Sequence, residues 1–203
     1  MTQQAPARHF SMIRSFGLAD VFTIANGFCG VVAIFAAMKY LETGDPMHVN
    51  VAAALIPLAL VLDVLDGRIA RWRKSASAMG RELDSLADVI SFGVAPAAIA
   101  YAVGVNSALD QVILIFFALC GLSRLARYNV SAASLATPAA KVRYFEGAPI
   151  PTSVVPLGVL MLAFHGANLY PLDVLGVSFH APVVLFLVWG CLMISKTLRI
   201  PKL

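Results

Sequence analysis

Charge is what this sequence has least of. Only 13% of its 203 residues are Asp, Glu, Lys or Arg, against about 25% in soluble domains, while 60% are hydrophobic and the mean hydropathy is +0.82. So few polar side chains cannot cover a water-facing globule, and a soluble fold is excluded. Cysteine is scarce as well, three in all, which excludes a disulfide-stapled scaffold. The 14 Gly and 11 Pro follow no period, which excludes a collagen-like chain, and apolar content this high excludes disorder. What the sequence does have is long apolar runs, and a protein of several membrane spans is the class that remains.

A membrane helix needs about 20 apolar residues to cross about 30 Å of hydrocarbon. Six stretches qualify, near residues 19–38, 50–71, 82–104, 108–127, 150–166 and 181–198. The reading is an all-α integral membrane protein of six transmembrane helices. The first run leads into Lys39-Tyr40 rather than a small-residue cleavage site, so it is read as a retained span and not a signal peptide. Ahead of it, Phe10, Ile13 and Phe16 recur every three residues among Arg8, Ser11, Arg14 and Ser15, which predicts a short amphipathic helix lying in the interface. The chain thus divides into an interfacial segment, 1–17, and a membrane domain, 18–203.

Lysine and arginine set the orientation. Fourteen of the 15 lie before the first span, around the second and fourth connections and after the last span, and only Lys39 lies in an odd connection. The positive-inside rule then places both termini in the cytoplasm, as an even number of spans requires, and a prokaryotic cytoplasmic membrane is the expected location. The net charge of +4 reflects basic loops at anionic headgroups rather than nucleic-acid binding.

Against this background four aspartates stand out in the second and third spans: Asp63, Asp66, Asp84 and Asp88. A carboxylate in hydrocarbon costs several kcal/mol unless it faces a cavity, a cation or a partner. Asp63 and Asp66 are three apart and Asp84 and Asp88 four apart, so each pair shares one helix face and two antiparallel helices can aim all four at one another. At 1.5 Å per residue Asp63 lies about 15 Å from Arg73, within the cytoplasmic leaflet. Carboxylates packed this closely call for a hard cation, and Mg²⁺ or Mn²⁺ suits oxygen ligands while leaving room for phosphate. Between the pairs, Gly67 lets backbone approach a ligand and Arg71 can fork onto a phosphate. Arg68, Arg73 and Lys74 read as topological anchors with snorkelling side chains.

Together, Asp63-x-x-Asp66-Gly67-x-x-Ala70-Arg71, eight residues, then Gly80-x-x-x-Asp84-x-x-x-Asp88 resembles the signature of the CDP-alcohol phosphotransferase family, with every fixed position filled. The resemblance implies six spans, cytoplasmic termini and a homodimer. It implies that Asp63, Asp66 and Asp84 ligate a divalent metal, Mg²⁺ or Mn²⁺, that holds the diphosphate of a CDP-linked lipid, with Asp88 completing the metal site and acting as general base. Gly67, Arg71, Ser77 and Gly80 would contact the CDP-lipid. Asn26 lies near where the family contributes to nucleotide binding, although an Asn in a span also serves as a hydrogen bond across a helix interface.

Within the family, Ser123-Arg124-Leu125-Ala126-Arg127-Tyr128-Asn129-Val130 and Tyr144-Phe145-Glu146-Gly147-Ala148-Pro149-Ile150-Pro151 are similar to the phosphatidylserine synthase branch, with Ala148 where Leu is usual. Phe22 to Gly30 and Leu192 to Ser195 extend the likeness. The implied activity is transfer of a phosphatidyl group from CDP-diacylglycerol to L-serine, giving CMP. A serine carboxylate wants a cation and its ammonium an acid, so Arg124, Arg127 or Arg143 and Glu146 are candidate acceptor contacts. The alternative for each basic residue is cytoplasmic anchoring.

Other readings stay open: another family member making phosphatidylglycerol phosphate, phosphatidylinositol phosphate or archaetidylserine, or, in a different class, a proton or cation transporter. A transporter needs ionisable groups through the outer leaflet as well. There Glu42, Asp45 and Asp173 fall in loops and Asp110 at a span end. Cys29, Cys120 and Cys191 read as small buried hydrophobes, and His48, His165 and His180 lack metal-ligand spacing.

Overall fold

The structure, a computed structural model, describes residues 17–73, 78–134, 144–174, 176–195 and 199–201. The expected interfacial helix, Ser77 and Arg143 lie outside them. Among the described residues four helices are long and apolar enough to cross a membrane: Ala19–Thr43, Pro46–Ile69, Met79–Ala102 and Ala108–Val130. They match the first four stretches of the sequence reading. The other two carry shorter apolar helices, Ile150–His165 and Val183–Ile194, about 24 and 18 Å long at 1.5 Å per residue. The chain is mostly helical and membrane-spanning.

The elements run α1 (Leu18–Thr43), α2 (Pro46–Arg73), α3 (Ala78–Asp88), a π-helical turn (Val89–Val94), α4 (Ala95–Ala102), α5 (Ala108–Ser134), β1 (Tyr144–Glu146), a 3₁₀ turn (Ile150–Ser153), α6 (Val154–His165), β2 (Pro171–Val174), β3 (Val177–His180), α7 (Val183–Ile194) and β4 (Arg199–Pro201). The two strand pairs depart from an all-helical reading. β1 pairs antiparallel with β4, and β2 with β3 around Gly176, whose φ of +82° suits glycine. Both pairs are three or four residues long, too short for a period-two pattern to stand out from loop sequence.

Small side chains let the first two spans pack closely. Ala33 and Ala37 on α1 and Ala52, Ile56 and Ala59 on α2 are essentially inaccessible, an i, i+4 seam of the kind that joins helices where lipid offers no hydrophobic driving force. Gly44, with φ +69°, and Asp45 make the tight reversal between them; the Gly44 N–H caps the Tyr40 carbonyl at 2.8 Å. Phe117 of α5 meets Phe186 of α7 edge to face at 5.1 Å. Outward, large apolar side chains such as Phe28, Phe35, Val112 and Leu162 are more than half exposed, a surface that suits acyl chains and not water. Cys29 and Cys120 are buried as expected, whereas Cys191 is exposed on this outer surface of α7.

α1 comes closest to the third span at the π-helical turn, where the Ala95 N–H reaches back five residues to the Ile90 carbonyl. A Cβ on Gly30 would lie 2.8 Å from the Ser91 Cα and 3.0 Å from its N, so only glycine permits this approach. Ser91 donates a hydrogen bond to the Asn26 carbonyl at 2.9 Å. Gly30, Asn26 and Thr23 share one face of α1, and the close approach at Gly30 brings the two polar residues against the acidic helices.

Candidate functional site

α2 and α3 run to and from one connection and carry the four aspartates near it, Asp63 and Asp66 a turn apart on α2 and Asp84 and Asp88 a turn apart on α3. One carboxylate oxygen from each of Asp63, Asp66 and Asp84 lies within 4.8 Å of the others. Asp88, only 6% exposed, lines the same pocket. The Asp84 Oδ1 is buried with no hydrogen-bond partner among the described residues. Three converging carboxylates and an orphaned buried oxygen form a hard, all-oxygen donor set, and these residues fit a divalent cation such as Mg²⁺ or Mn²⁺.

α1 closes the back of the cluster. The Thr23 hydroxyl donates to Asp66 Oδ2 at 2.8 Å, and the Asn26 Nδ2 donates to Asp88 Oδ1 at 3.0 Å. Both donors are buried, where a hydrogen bond to an ionised group contributes about 1.5–3 kcal/mol. Asn26 therefore makes the hydrogen bond across a helix interface that an Asn in a span suggests, and its partner there is a carboxylate of the cluster. Its Oδ1 is buried without a partner among the described residues.

In front of the acids is a pocket of about 360 Å³. On the α2 and α3 sides Gly67, Arg71, Arg81 and Ser85 line it; on the α5 side Arg124, Leu125, Tyr128 and Asn129 do. Arg124 is 8% exposed and its Nε has no partner among the described residues, so a buried cation faces the acids across an open space. The Asn129 Nδ2 donates to Glu82 Oε2 at 3.1 Å and to Ser85 Oγ at 3.0 Å, tying α5 to α3 at the rim.

Of the residues the sequence singled out, the four aspartates, Gly67, Arg71 and Arg124 are thus brought together around one space. Arg127 is not among the pocket residues; its guanidinium donates to the Ile194 carbonyl at 3.3 Å and joins α5 to the end of α7. Gly80, in the first turn of α3, is not among the lining residues either. Glu146 pairs with Arg199 through the backbone of β1 and β4, and its side chain lies outside the described residues. Sequence reasoning missed Thr23, Arg81, Ser85 and Asn129. A Thr one turn before the singled-out Asn26, on the same helix face, was the available signal for Thr23.

The model of the CDP-alcohol phosphatidyltransferase family matches residues 16–194. The chain belongs to this family. Among curated relatives, the protein of Saccharomyces cerevisiae named CDP-diacylglycerol–serine O-phosphatidyltransferase is 45% identical over 204 residues, covering 96% of this chain and 74% of the relative. Proteins of the same name from Helicobacter pylori and Bacillus subtilis are 40% and 32% identical over 138 and 147 residues, covering 67% and 71% of this chain and 53% and 75% of theirs. The chain therefore spans about three quarters of the yeast and Bacillus relatives and about half of the Helicobacter one. Membership joins the acid cluster to a family whose reaction centres on a diphosphate, the kind of group that a carboxylate-held cation and flanking arginines suit.

Proposed function

We propose that this chain transfers the phosphatidyl group of CDP-diacylglycerol to L-serine, forming phosphatidylserine and CMP. The observation that carries the reading is the convergence, in one pocket, of the family's four aspartates with Arg71 on one side and the buried Arg124 on the other. The names of the relatives from yeast, Helicobacter and Bacillus support serine as the acceptor.

Asp63, Asp66 and Asp84, with Asp88 beside them, would hold a divalent cation. When bound, such a cation offsets charge on the diphosphate oxygens. The residues of the chain do the rest. Arg71 and Arg81, on the rim, donate to phosphate oxygens, and Gly67 leaves the backbone open to the nucleotide. Asp88, held by Asn26, takes the proton of the serine hydroxyl as that oxygen forms a bond to the phosphorus bearing diacylglycerol; the bond to the CMP oxygen breaks and CMP leaves. Arg124 faces the acceptor carboxylate, and Glu146 is the candidate for its ammonium group. No protein nucleophile is needed.

The same reading takes the shorter helices Ile150–His165 and Val183–Ile194 as the fifth and sixth spans, with residues 1–17 as the interfacial segment and 18–203 as the membrane domain. The Lys and Arg distribution supports termini and site on the cytoplasmic side, and family resemblance supports a homodimer. Purified protein given CDP-diacylglycerol, radiolabelled serine and Mn²⁺ is expected to yield labelled lipid and stoichiometric CMP, both lost on chelation and regained on adding metal back. Product from glycerol 3-phosphate and none from serine would reassign the acceptor; cation flux in liposomes without CMP release would replace the enzyme by a transporter.

A further inference from the structure

Thr23 is a buried hydroxyl, 3% exposed, for which the transfer reaction as described has no use. Its Oγ1 lies 2.8 Å from Asp66 Oδ2 and 3.2 Å from the Ala19 carbonyl one turn back on its own helix. A hydroxyl has one proton, and an ionised carboxylate at the shorter distance is the stronger of the two acceptors. The bond reaches across 43 residues, from α1 to α2, and ends on one of the three carboxylates whose oxygens converge within 4.8 Å. Thr23 thus supplies this carboxylate with a hydrogen bond that depends on a side chain. Without it a carboxylate on a helix would be freer to rotate out of the cluster.

We propose that Thr23 is a positioning residue for the cation site, its hydroxyl holding the Asp66 carboxylate in the orientation that converges with Asp63 and Asp84. The inference deepens the metal reading given above and rests on it. A partner that orients a ligand carboxylate is worth about 10–100-fold in metal affinity. A residue that only packs α1 on α2 would leave that affinity unchanged.

The test uses the full chain in detergent with Mn²⁺ alone, its binding followed by the electron paramagnetic resonance of the free ion. Thr23→Val, which keeps the shape and removes the hydroxyl, and Thr23→Ala are each expected to bind Mn²⁺ about tenfold or more weakly than the unsubstituted chain, and Thr23→Ser to restore binding to within about threefold. Affinity within twofold of the unsubstituted chain in both Val and Ala variants overturns the proposal, as does a loss shared equally by Thr23→Ser. So does failure of both Val and Ala variants to fold without metal, since the hydroxyl would then be a requirement of helix packing. If the unsubstituted chain itself binds no Mn²⁺, the metal reading fails together with the inference; if it binds and the variants match it, the inference fails alone.

Discussion

In the proposed reaction two side chains take different parts, and substitution separates them. Asp88 accepts a hydrogen bond from Asn26 on one oxygen and reaches the pocket with the rest of its carboxylate. Asp88→Asn keeps the size and the ability to accept that bond but can take no proton. Turnover is expected to fall about 10²–10⁴-fold, with the melting temperature in detergent held, as steady-state assay and thermal denaturation would check. Arg124, on the proposed reading, works on binding. Arg124→Ala removes the buried cation facing the acceptor, so the KM for serine is expected to rise at least tenfold while that for CDP-diacylglycerol moves little. Arg124→Lys recovers part of the loss, because an ammonium restores the charge and not the two-pronged geometry. Equal effects on both substrates would assign Arg124 to the nucleotide instead.

The aspartates were legible in the sequence for a physical reason: four carboxylates within apolar spans have no cheap explanation, and helical spacing alone puts each pair on one face. Arg124 and Arg127 look alike by the same criteria, three residues apart toward the end of α5. Only packing tells them apart, since one enters the pocket while the other reaches across to the Ile194 carbonyl. Thr23, Ser85 and Asn129 left little trace, because a hydroxyl or amide near a span end costs little anywhere and gains meaning only from what a distant helix places beside it.

Helices position these groups through close approach, and Gly30 sets how close. Any side chain there meets the backbone of Ser91. Gly30→Ala is expected to destabilise the fold by about 1–3 kcal/mol and, by levering α1 off the π-helical turn, to weaken the contacts of Thr23 and Asn26 with Asp66 and Asp88. A lower melting temperature together with reduced turnover checks this; Gly158→Ala, where the added methyl meets nothing, should show neither. Apolar length revealed the first four helices from sequence because each is apolar over the thickness of a membrane, with at most two charged residues in that length. The fifth and sixth stretches looked longer than their helices are, since a hydrophobicity count cannot see that Ile150–Ser153 winds as a 3₁₀ turn ahead of α6 or that α7 ends at Ile194.

Across the whole molecule, chemistry and anchorage occupy opposite ends. Asp110 starts α5 in a reciprocal cap with Ser107, each side chain bonded to the other's backbone N–H. It also receives the His180 backbone N–H at 2.9 Å and the ring Nδ1 at 2.6 Å, clamping the β2–β3 hairpin to the helix. Fourteen residues, about 21 Å of helix, separate this clamp from Arg124. Asp110→Ala is expected to cost about 1.5–3 kcal/mol of stability and to leave both KM values as they were, which thermal denaturation alongside steady-state kinetics would check. A changed KM would mean that the two ends communicate.

The π-helical turn gives the third span one surplus residue, and with it two rotational phases. Before the turn, Asp84 and Asp88 look into the polar pocket; beyond it, Ile99 and Ala100 look into the apolar centre. Winding the same six residues of Val89–Val94 at ordinary α pitch would rotate one half by about 100° against the other, so either the acids or the packing would face the wrong way. That irregular turn acts as an offset coupling, letting one rod meet water chemistry at one end and the apolar core at the other.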